Sequence, residues 1–275
     1  MNRPTTESTP EHDALETKST AELVELIHAA DRTVAEAVGE ALPQISALAE
    51  AAYRSLAQGG RLFYIGAGTS GRLGILDASE CPPTFGVPPE WVTGLIAGGD
   101  AAIRKAVEGA EDDTRQAMLD LRKAGLGAGD FVLGIAASGK TPYVLGGILD
   151  CRKEGIATGG LSCNPGSLLS KACDYAVEVC TGAEFVAGST RMKAGTATKM
   201  VLNMISTSVM IRLGRVKGNK MVDMHLSNAK LNDRAEQMLM EELRIGRKQA
   251  KELLRVHQNV RKAIDAYVHQ QGKTR

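Results

Sequence analysis

The chain has 275 residues, 43% of them apolar and 24% charged, which suits one large α/β domain with a small appendage. A formal net charge of +1 and an aromatic content of 4% argue against a nucleic-acid-binding surface. No apolar run approaches the roughly 18 residues that a membrane-spanning helix needs. From these observations, neither nucleic acid nor membrane is expected as a partner.

The five cysteines form no C-x-x-C pair and no Cys/His cluster with zinc-like spacing, so no metal site is predicted. An odd number of cysteines without a disulfide pattern fits a reducing compartment. The N-terminal residues contain no apolar segment of the kind found in signal peptides. We therefore expect a cytoplasmic protein.

The first elements follow a polar N-terminus. Residues 1–18 contain two prolines and no periodicity, which predicts a flexible arm. Ser19 and Glu22 have the spacing of a capping box and predict the start of a helix that runs through Val38. A second helix is predicted over residues 42–56, before Gly59 and Gly60.

Short apolar runs then alternate with helical segments. The runs are RLFYIG (61–66), VTGLIAG (92–98), FVLGIAA (131–137), TGGLSC (158–163) and YAVEVC (175–180). Helices are predicted near 70–78, 100–124 and 141–154. Apolar strands linked by helices indicate a five-stranded, doubly wound parallel sheet, a flavodoxin-like α-β-α sandwich.

The C-terminal third is predicted to be helical. Residues 192–215 are rich in Met, Leu, Val and Ile, which indicates a buried helix, and residues 228–271 fit two or three short amphipathic helices. The predicted domains are a flexible arm (1–18), an α/β domain with N-terminal helices (19–227) and a small C-terminal helical bundle (228–275).

Three loops combine glycine with hydroxyl side chains at predicted strand ends or helix starts: GAGTSG (66–71), AASGKTPY (136–143) and GSTRMKAGT (188–196). Backbone N–H groups, hydroxyls and a helix dipole together favour an anion. The first loop resembles the dinucleotide fingerprint, but Asp100 lies too far along the chain to hold a ribose. SGKT lacks the earlier glycine of a P-loop. Hydroxyl-rich loops suit a single terminal phosphate, such as that of a sugar phosphate.

At these residues the sequence resembles the sugar isomerase (SIS) domain superfamily, and within it the N-acetylmuramic acid 6-phosphate etherases. The matching segments run in order from residue 65 to residue 235, and ASECPPTFG and GSTRMKAGTA are the most specific of them. The resemblance implies a homodimer without a cofactor that cleaves a lactyl ether to N-acetylglucosamine 6-phosphate and D-lactate, in peptidoglycan recycling.

The resemblance also implies site residues. The two glutamates regarded as catalytic in the family match Glu80 and Glu111. Phosphate is expected on Ser70, Ser138, Gly139 and Thr141. The full set of predicted substrate-binding residues is Gly68, Thr69, Ser70, Ser138, Gly139, Lys140, Thr141, Ser189, Thr190 and Lys193.

Two carboxyl groups suit the chemistry, because an ether beyond an aldehyde is lost most easily by elimination. One group takes the proton beside the aldehyde, and the other protonates the leaving oxygen. We assign the acid to Glu80 and the base to Glu111. A surface helix end at Glu80, a solvated acidic run at Glu111, and Glu108 as the true base remain as alternatives.

Other interpretations stay open. An aldose–ketose isomerase or a non-catalytic sugar-phosphate sensor could keep the hydroxyl loops, although a sensor would not need both glutamates. The sequence also departs from the family pattern in two places. At the N-terminus, TESTPEHDALE stands in place of the T-E-x-R-N-P arm of many members. In the second loop, Lys140 stands where arginine is frequent, which keeps the positive charge but loses the bidentate hydrogen bonding of a guanidinium group.

Overall fold

A computed structural model describes residues 5–8, 12–226 and 228–272 of the chain. Its sheet has five strands, β1 (Leu62–Gly66), β2 (Val92–Ile96), β3 (Phe131–Ile135), β4 (Ala157–Ser162) and β5 (Tyr175–Glu178). All pairings are parallel, in the order β2-β1-β3-β4-β5. The five predicted strands and the doubly wound fold are therefore confirmed.

Eleven α-helices lie within the described residues. They are α1 (Thr20–Glu40), α2 (Leu42–Ala57), α3 (Gly68–Phe85), α4 (Ala101–Arg104), α5 (Gln116–Lys123), α6 (Pro142–Lys153), α7 (Leu168–Ala172), α8 (Lys193–Arg212), α9 (Ala229–Leu243), α10 (Arg247–His257) and α11 (Val260–Gly272). The predicted capping box forms at the start of α1, where Ser19 and Glu22 exchange hydrogen bonds. It satisfies two backbone N–H groups at the helix start.

The sheet is covered on both faces, as continuous apolar strands predict. Alternate residues of β1 show the two sides: Phe63 joins the core cluster that includes Tyr143 and Ile148 of α6, whereas the Tyr64 ring lies against Gly74 of α3. The Tyr64 hydroxyl donates to the buried carboxylate of Asp77 at 2.9 Å.

Asp77 ties three elements of the second face together. Besides Tyr64 of β1, its carboxylate accepts from the Asn203 amide at 2.9 Å and from the Ser206 hydroxyl at 3.1 Å, both on α8. Burial raises the pKa of this carboxyl group above its ordinary value of 3.8, although the three hydrogen bonds oppose the shift. Hydrogen bonding thus offsets part of the cost of burying a charge.

The chain divides into two compact units. The first comprises Met1–Ala78 and Glu90–Val209, and the second comprises Ser79–Pro89 and Met210–Arg275. The second unit has its own core, formed around Leu239 of α9, Leu254 of α10 and Ile264 of α11. The domain limits predicted at residues 18 and 227 remain a prediction, and the compact units begin and end elsewhere.

Two helix predictions differ from the structure, and one short helix has no counterpart among the predictions. The segment 100–124 is not one helix: α4 and α5 are separated, and Gly109 between them has a left-handed φ of 73°. The helix predicted near 70–78 continues to Phe85 through Pro82 and Pro83, whose fixed φ is compatible with a helix although neither residue can donate a backbone hydrogen bond. The short helix α7 was not predicted.

The described part of the N-terminus makes specific contacts. Thr6 is fully buried, and both Thr5 and Thr6 hydrogen-bond to the Asn164 side chain. The flexible arm over residues 1–18 stays a prediction. Residues 1–4 and 9–11 of the predicted arm lie outside the described residues. Of the helices described, none is long and apolar enough to cross a membrane.

All five cysteines are free thiols, and four of them are buried. Burial raises the pKa of Cys151 and of Cys163 to about 12, and that of Cys173 to about 11. Cys180, just after β5, is exposed, and partial burial raises its pKa as well. The buried thiols carry little thiolate at neutral pH and are shielded from reagents, so they are unreactive, whereas Cys180 is accessible.

Candidate functional site

The strand order places the candidate site at the carboxyl ends of β1 and β3. β1 lies between β2 and β3, so the chain leaves β1 and β3 in opposite directions across the sheet. Ligands of open parallel sheets bind at this kind of switch point. The residues after β1 are the first predicted loop, and those after β3 are the second.

The β1–α3 turn explains the glycines of the first loop. A Cβ on Gly66 would lie 2.7 Å from the Gly71 nitrogen, and one on Gly71 would lie 2.6 Å from the Ile96 side chain. Gly68 begins α3 with a left-handed φ of 53°. Gly66 and Gly71 thus allow close packing of the strand, the helix and β2, and the first amides of α3 face the sheet edge without an intrahelical acceptor.

The second loop is held in a tight turn. Gly139 donates to the Ala136 carbonyl at 2.8 Å with a left-handed φ of 66°, and a Cβ there would lie 2.3 Å from Ser167. The backbone N–H of Lys140 donates to the Ser138 hydroxyl at 3.2 Å. Thr141 occupies the N-cap of α6 without a side-chain cap bond. Its hydroxyl and the first amides of α6 therefore suit an anion.

The third loop differs, because its helix start is already occupied. Glu184, 1% exposed, accepts from the backbone N–H groups of Lys193 at 2.8 Å and Ala194 at 2.9 Å. A carboxylate at this position satisfies two amides and complements the helix dipole. The Lys193 ammonium donates to the Ala183 carbonyl at 3.3 Å. The N-terminus of α8 is therefore bound by the protein itself, which the sequence pattern did not indicate.

The first and third loops nevertheless converge. A Cβ on Gly195 would lie 3.5 Å from the Thr190 carbonyl and 3.6 Å from the Thr69 methyl group. Ser189 and Thr190 lie in consecutive turns before α8, where the Ser189 carbonyl accepts from Met192. The structure therefore brings the Thr69 and Thr190 regions together at the sheet edge.

A pocket of about 150 Å³ opens beside the start of α3. It is lined by Ala67, Gly68 and Arg72 on one side and by the segment that contains Glu108 and Glu111 on the other. Glu111 lies in a 3₁₀ turn, Ala110–Asp112, and is exposed. Glu108, the alternative base, lines the same pocket. The volume suits part of a substrate, since whole ligand sites usually measure about 300–1,000 Å³.

Glu80 is an exposed residue in the last turns of α3, next to the buried Cys81. It belongs to Ser79–Pro89, in the second compact unit, whereas Glu111 belongs to the first. The pairing of the two carboxyl groups therefore rests on the sequence motifs. Among the described residues, no group of three or more His, Cys, Asp or Glu side chains could hold a metal ion.

Curated relatives match nearly the whole chain. A protein of Christiangramia forsetii named N-acetylmuramic acid 6-phosphate etherase is 59% identical over 99% of this chain and 100% of its own length. The chain belongs to the N-acetylmuramic acid 6-phosphate etherase family. Two further proteins of the same name support this assignment. The one from Porphyromonas gingivalis is 56% identical over 95% of both chains. The one from Cronobacter sakazakii is 52% identical over 87% of this chain and 81% of its own.

More distant comparisons agree on the fold of this family member. Residues 44–152 match the family model described as the glucokinase regulatory protein N-terminal SIS domain. A phosphoheptose isomerase from Neisseria gonorrhoeae superposes with a TM-score of 0.53 at 16% identity, covering 70% of this chain and 98% of that one. A putative phosphosugar isomerase from Bacteroides fragilis gives 0.53 at 20% identity, covering 71% and 98%. The predicted SIS-type sheet is thus confirmed.

Proposed function

We propose that this chain cleaves the D-lactyl ether of N-acetylmuramic acid 6-phosphate, giving N-acetylglucosamine 6-phosphate and D-lactate. The observation that carries the proposal is 59% identity, along the whole length, to a protein of that etherase name. The chain is an enzyme of the carbon–oxygen lyase class. A cytoplasmic homodimer that acts in the recycling of cell-wall sugars completes the proposal.

Phosphate binding is assigned to the switch-point edge. Ser70 lies in the first turn of α3, and Ser138, Gly139 and Thr141 form the turn before α6. Both helix starts offer amides without intrahelical acceptors, which favours a dianion. The same proposal includes further substrate-binding residues without a specific phosphate contact assigned to each: Gly68, Thr69, Lys140, Ser189, Thr190 and Lys193.

The reaction proceeds through the open-chain aldehyde. A base removes the proton from C2, the electron pair forms the C2–C3 double bond, and the C3–O bond breaks as an acid protonates the departing lactate oxygen. Water then adds to C3, and a proton returns to C2. Each proton transfer by a positioned group contributes roughly 10²–10⁴-fold.

Glu111 is proposed as the base and Glu80 as the acid. Glu111 borders the pocket at the start of α3, close to the proposed phosphate loops, which supports its role at the sugar. Glu80 is assigned from its place in ASECPP, part of one of the two most specific family motifs. Its carboxyl group protonates the lactate oxygen and afterwards takes the proton of the attacking water.

The test combines lactate release with solvent exchange. Purified protein is incubated with N-acetylmuramic acid 6-phosphate in D₂O, D-lactate is measured enzymatically, and deuterium at C2 is measured by NMR. We expect Glu80→Gln to lose lactate release but keep exchange, and Glu111→Gln to lose both. Glu108→Gln, beside the same pocket, is the matched control and should keep both activities.

The outcomes separate the claims. Absence of D-lactate with the parent protein at high concentration would contradict the etherase function. Loss of exchange together with lactate in Glu80→Gln would contradict the division of roles alone. A Glu108→Gln variant without exchange would instead make Glu108 the base. Light scattering after size-exclusion chromatography tests the dimer separately.

A further inference from the structure

We propose that Asn164 is a positioning residue that orients the second hydroxyl loop, residues 138–141, for phosphate, and that Thr5 and Thr6 hold Asn164 in its working orientation. The inference rests on the proposed function, because that function assigns phosphate to this loop. Asn164 follows β4 closely and is 4% exposed, so it acts from beneath the loop rather than by touching substrate.

The Asn164 amide uses its whole hydrogen-bonding capacity. Its Oδ1 accepts from the Thr5 hydroxyl at 2.9 Å and from the Thr6 backbone N–H at 3.2 Å. Its Nδ2 donates to the Thr6 hydroxyl at 3.0 Å and to the Ala137 carbonyl at 2.8 Å. A side-chain amide has two donors and two acceptor lone pairs, so the set is complete.

These partners permit only one orientation of the amide. A backbone N–H can only donate, so Thr6 must face Oδ1, and a backbone carbonyl can only accept, so Ala137 must face Nδ2. Rotating the amide by 180° would break both bonds and leave buried groups unpaired. The N-terminal turn therefore selects the orientation in which Asn164 holds the Ala137 carbonyl.

The Ala137 carbonyl controls the peptide that begins the loop. It accepts from Asn164 and also from the Cys163 N–H at 2.9 Å, so its direction is held twice. Because a trans peptide is planar, the N–H of Ser138 points opposite to that carbonyl, away from Asn164. Asn164 thereby directs the Ser138 amide outward, as an anion at this sheet edge requires.

A loop that binds phosphate equally in the substrate and in the transition state changes KM rather than kcat. Replacing Asn164 by Ala leaves the Ala137 carbonyl and Thr6 without their amide partner. We expect KM and the Kd of inorganic phosphate to rise on the order of ten-fold, with kcat within about two-fold. Thr6→Val keeps the side-chain shape but removes the hydroxyl that accepts from Asn164. It should raise KM and the phosphate Kd less, by about three-fold.

The experiment uses the full chain and inorganic phosphate as the probe. Calorimetry gives the phosphate Kd, and lactate release gives KM and kcat, for the parent, Asn164→Ala, Thr6→Val and Thr6→Ser. The serine variant keeps the hydroxyl and should restore parent values. Asn203→Ala is the matched control: its amide is bonded to Asp77 in the same unit, and its loss should lower thermal stability without changing phosphate affinity.

Parent-like phosphate affinity in both Asn164→Ala and Thr6→Val would overturn the proposal. Equal weakening in Asn203→Ala would also overturn it, since the effect would then follow from general destabilisation. Thr6→Val still decides the matter if Asn164→Ala does not fold. Failure of the parent to release lactate, with the predicted order of phosphate affinities intact, would contradict the proposed function and leave the role of Asn164 standing.

Discussion

The carboxylate of Glu184 offers a sharp test of how the start of α8 is held. In Glu184→Gln, one oxygen that accepts a backbone N–H at 2.8 or 2.9 Å becomes an amide nitrogen, which cannot accept. The negative charge at the N-terminus of a 20-residue helix is lost as well. The variant should therefore unfold more easily, because a buried N–H is left unpaired.

The magnitude follows from the two losses. A hydrogen bond to a charged group contributes about 1.5–3 kcal/mol, and a charge at a helix terminus about 0.3–1 kcal/mol. The expected decrease in the free energy of unfolding is therefore about 3 kcal/mol, which corresponds to a Tm lower by about 6–12 °C for a chain of this size. Enzymatic activity should also decrease, because Glu184 holds the end of the third loop at the start of α8.

Urea denaturation followed by far-UV circular dichroism measures the change, and Glu40→Gln is the control. Glu40 is exposed, at the end of α1, so the same loss of charge should alter stability by less than about 0.5 kcal/mol. If Glu184→Gln were as stable as Glu40→Gln, the capping bonds would contribute nothing net, and the reasoning would be refuted.

Three further predictions concern buried carboxylate and glycine positions. Asp77→Asn should become more stable relative to the parent as pH rises above 3.8. The folded parent holds the Asp77 proton more tightly than the unfolded chain does, so the parent loses stability as that proton is released, whereas Asn does not titrate. Urea titrations at several pH values measure the free energy of unfolding of both proteins, and parallel pH curves would contradict the prediction. Gly139→Ala should weaken phosphate binding at least about ten-fold, measured by calorimetry, since its Cβ would lie 2.3 Å from Ser167. Gly86→Ala, whose Cβ would lie 2.0 Å from the Asp223 carbonyl, should lower Tm by more than Gly188→Ala, which has a similar φ but open space; equal shifts would argue against the clash.

Strands were the most predictable part of the fold. Each of the predicted runs became a strand within about two residues, because strands of a sheet covered on both faces are mostly apolar or small. Helix limits were less predictable where backbone geometry decides them. The left-handed Gly109 interrupts an otherwise helical pattern, and a proline pair that usually ends a helix instead lies inside α3.

The predicted phosphate loops could be placed because glycine and hydroxyl residues next to strand ends are local signals. The contacts that hold these loops in position could not be predicted from the sequence. Glu184 reaches the start of α8, and Asn164 reaches Thr5 and Thr6 across 159 and 158 positions of the chain. Such pairs depend on tertiary structure, and no spacing or periodicity in the sequence records them.

The burial of four thiols also has a practical consequence for spectroscopy. Cys180 alone among the five cysteines is exposed, and at least three of the others have pKa values too high for appreciable thiolate at neutral pH. A maleimide dye or spin label added to the folded protein should attach at Cys180, just after β5, without any engineered cysteine. The slower reaction of the remaining thiols would then report how often the core opens.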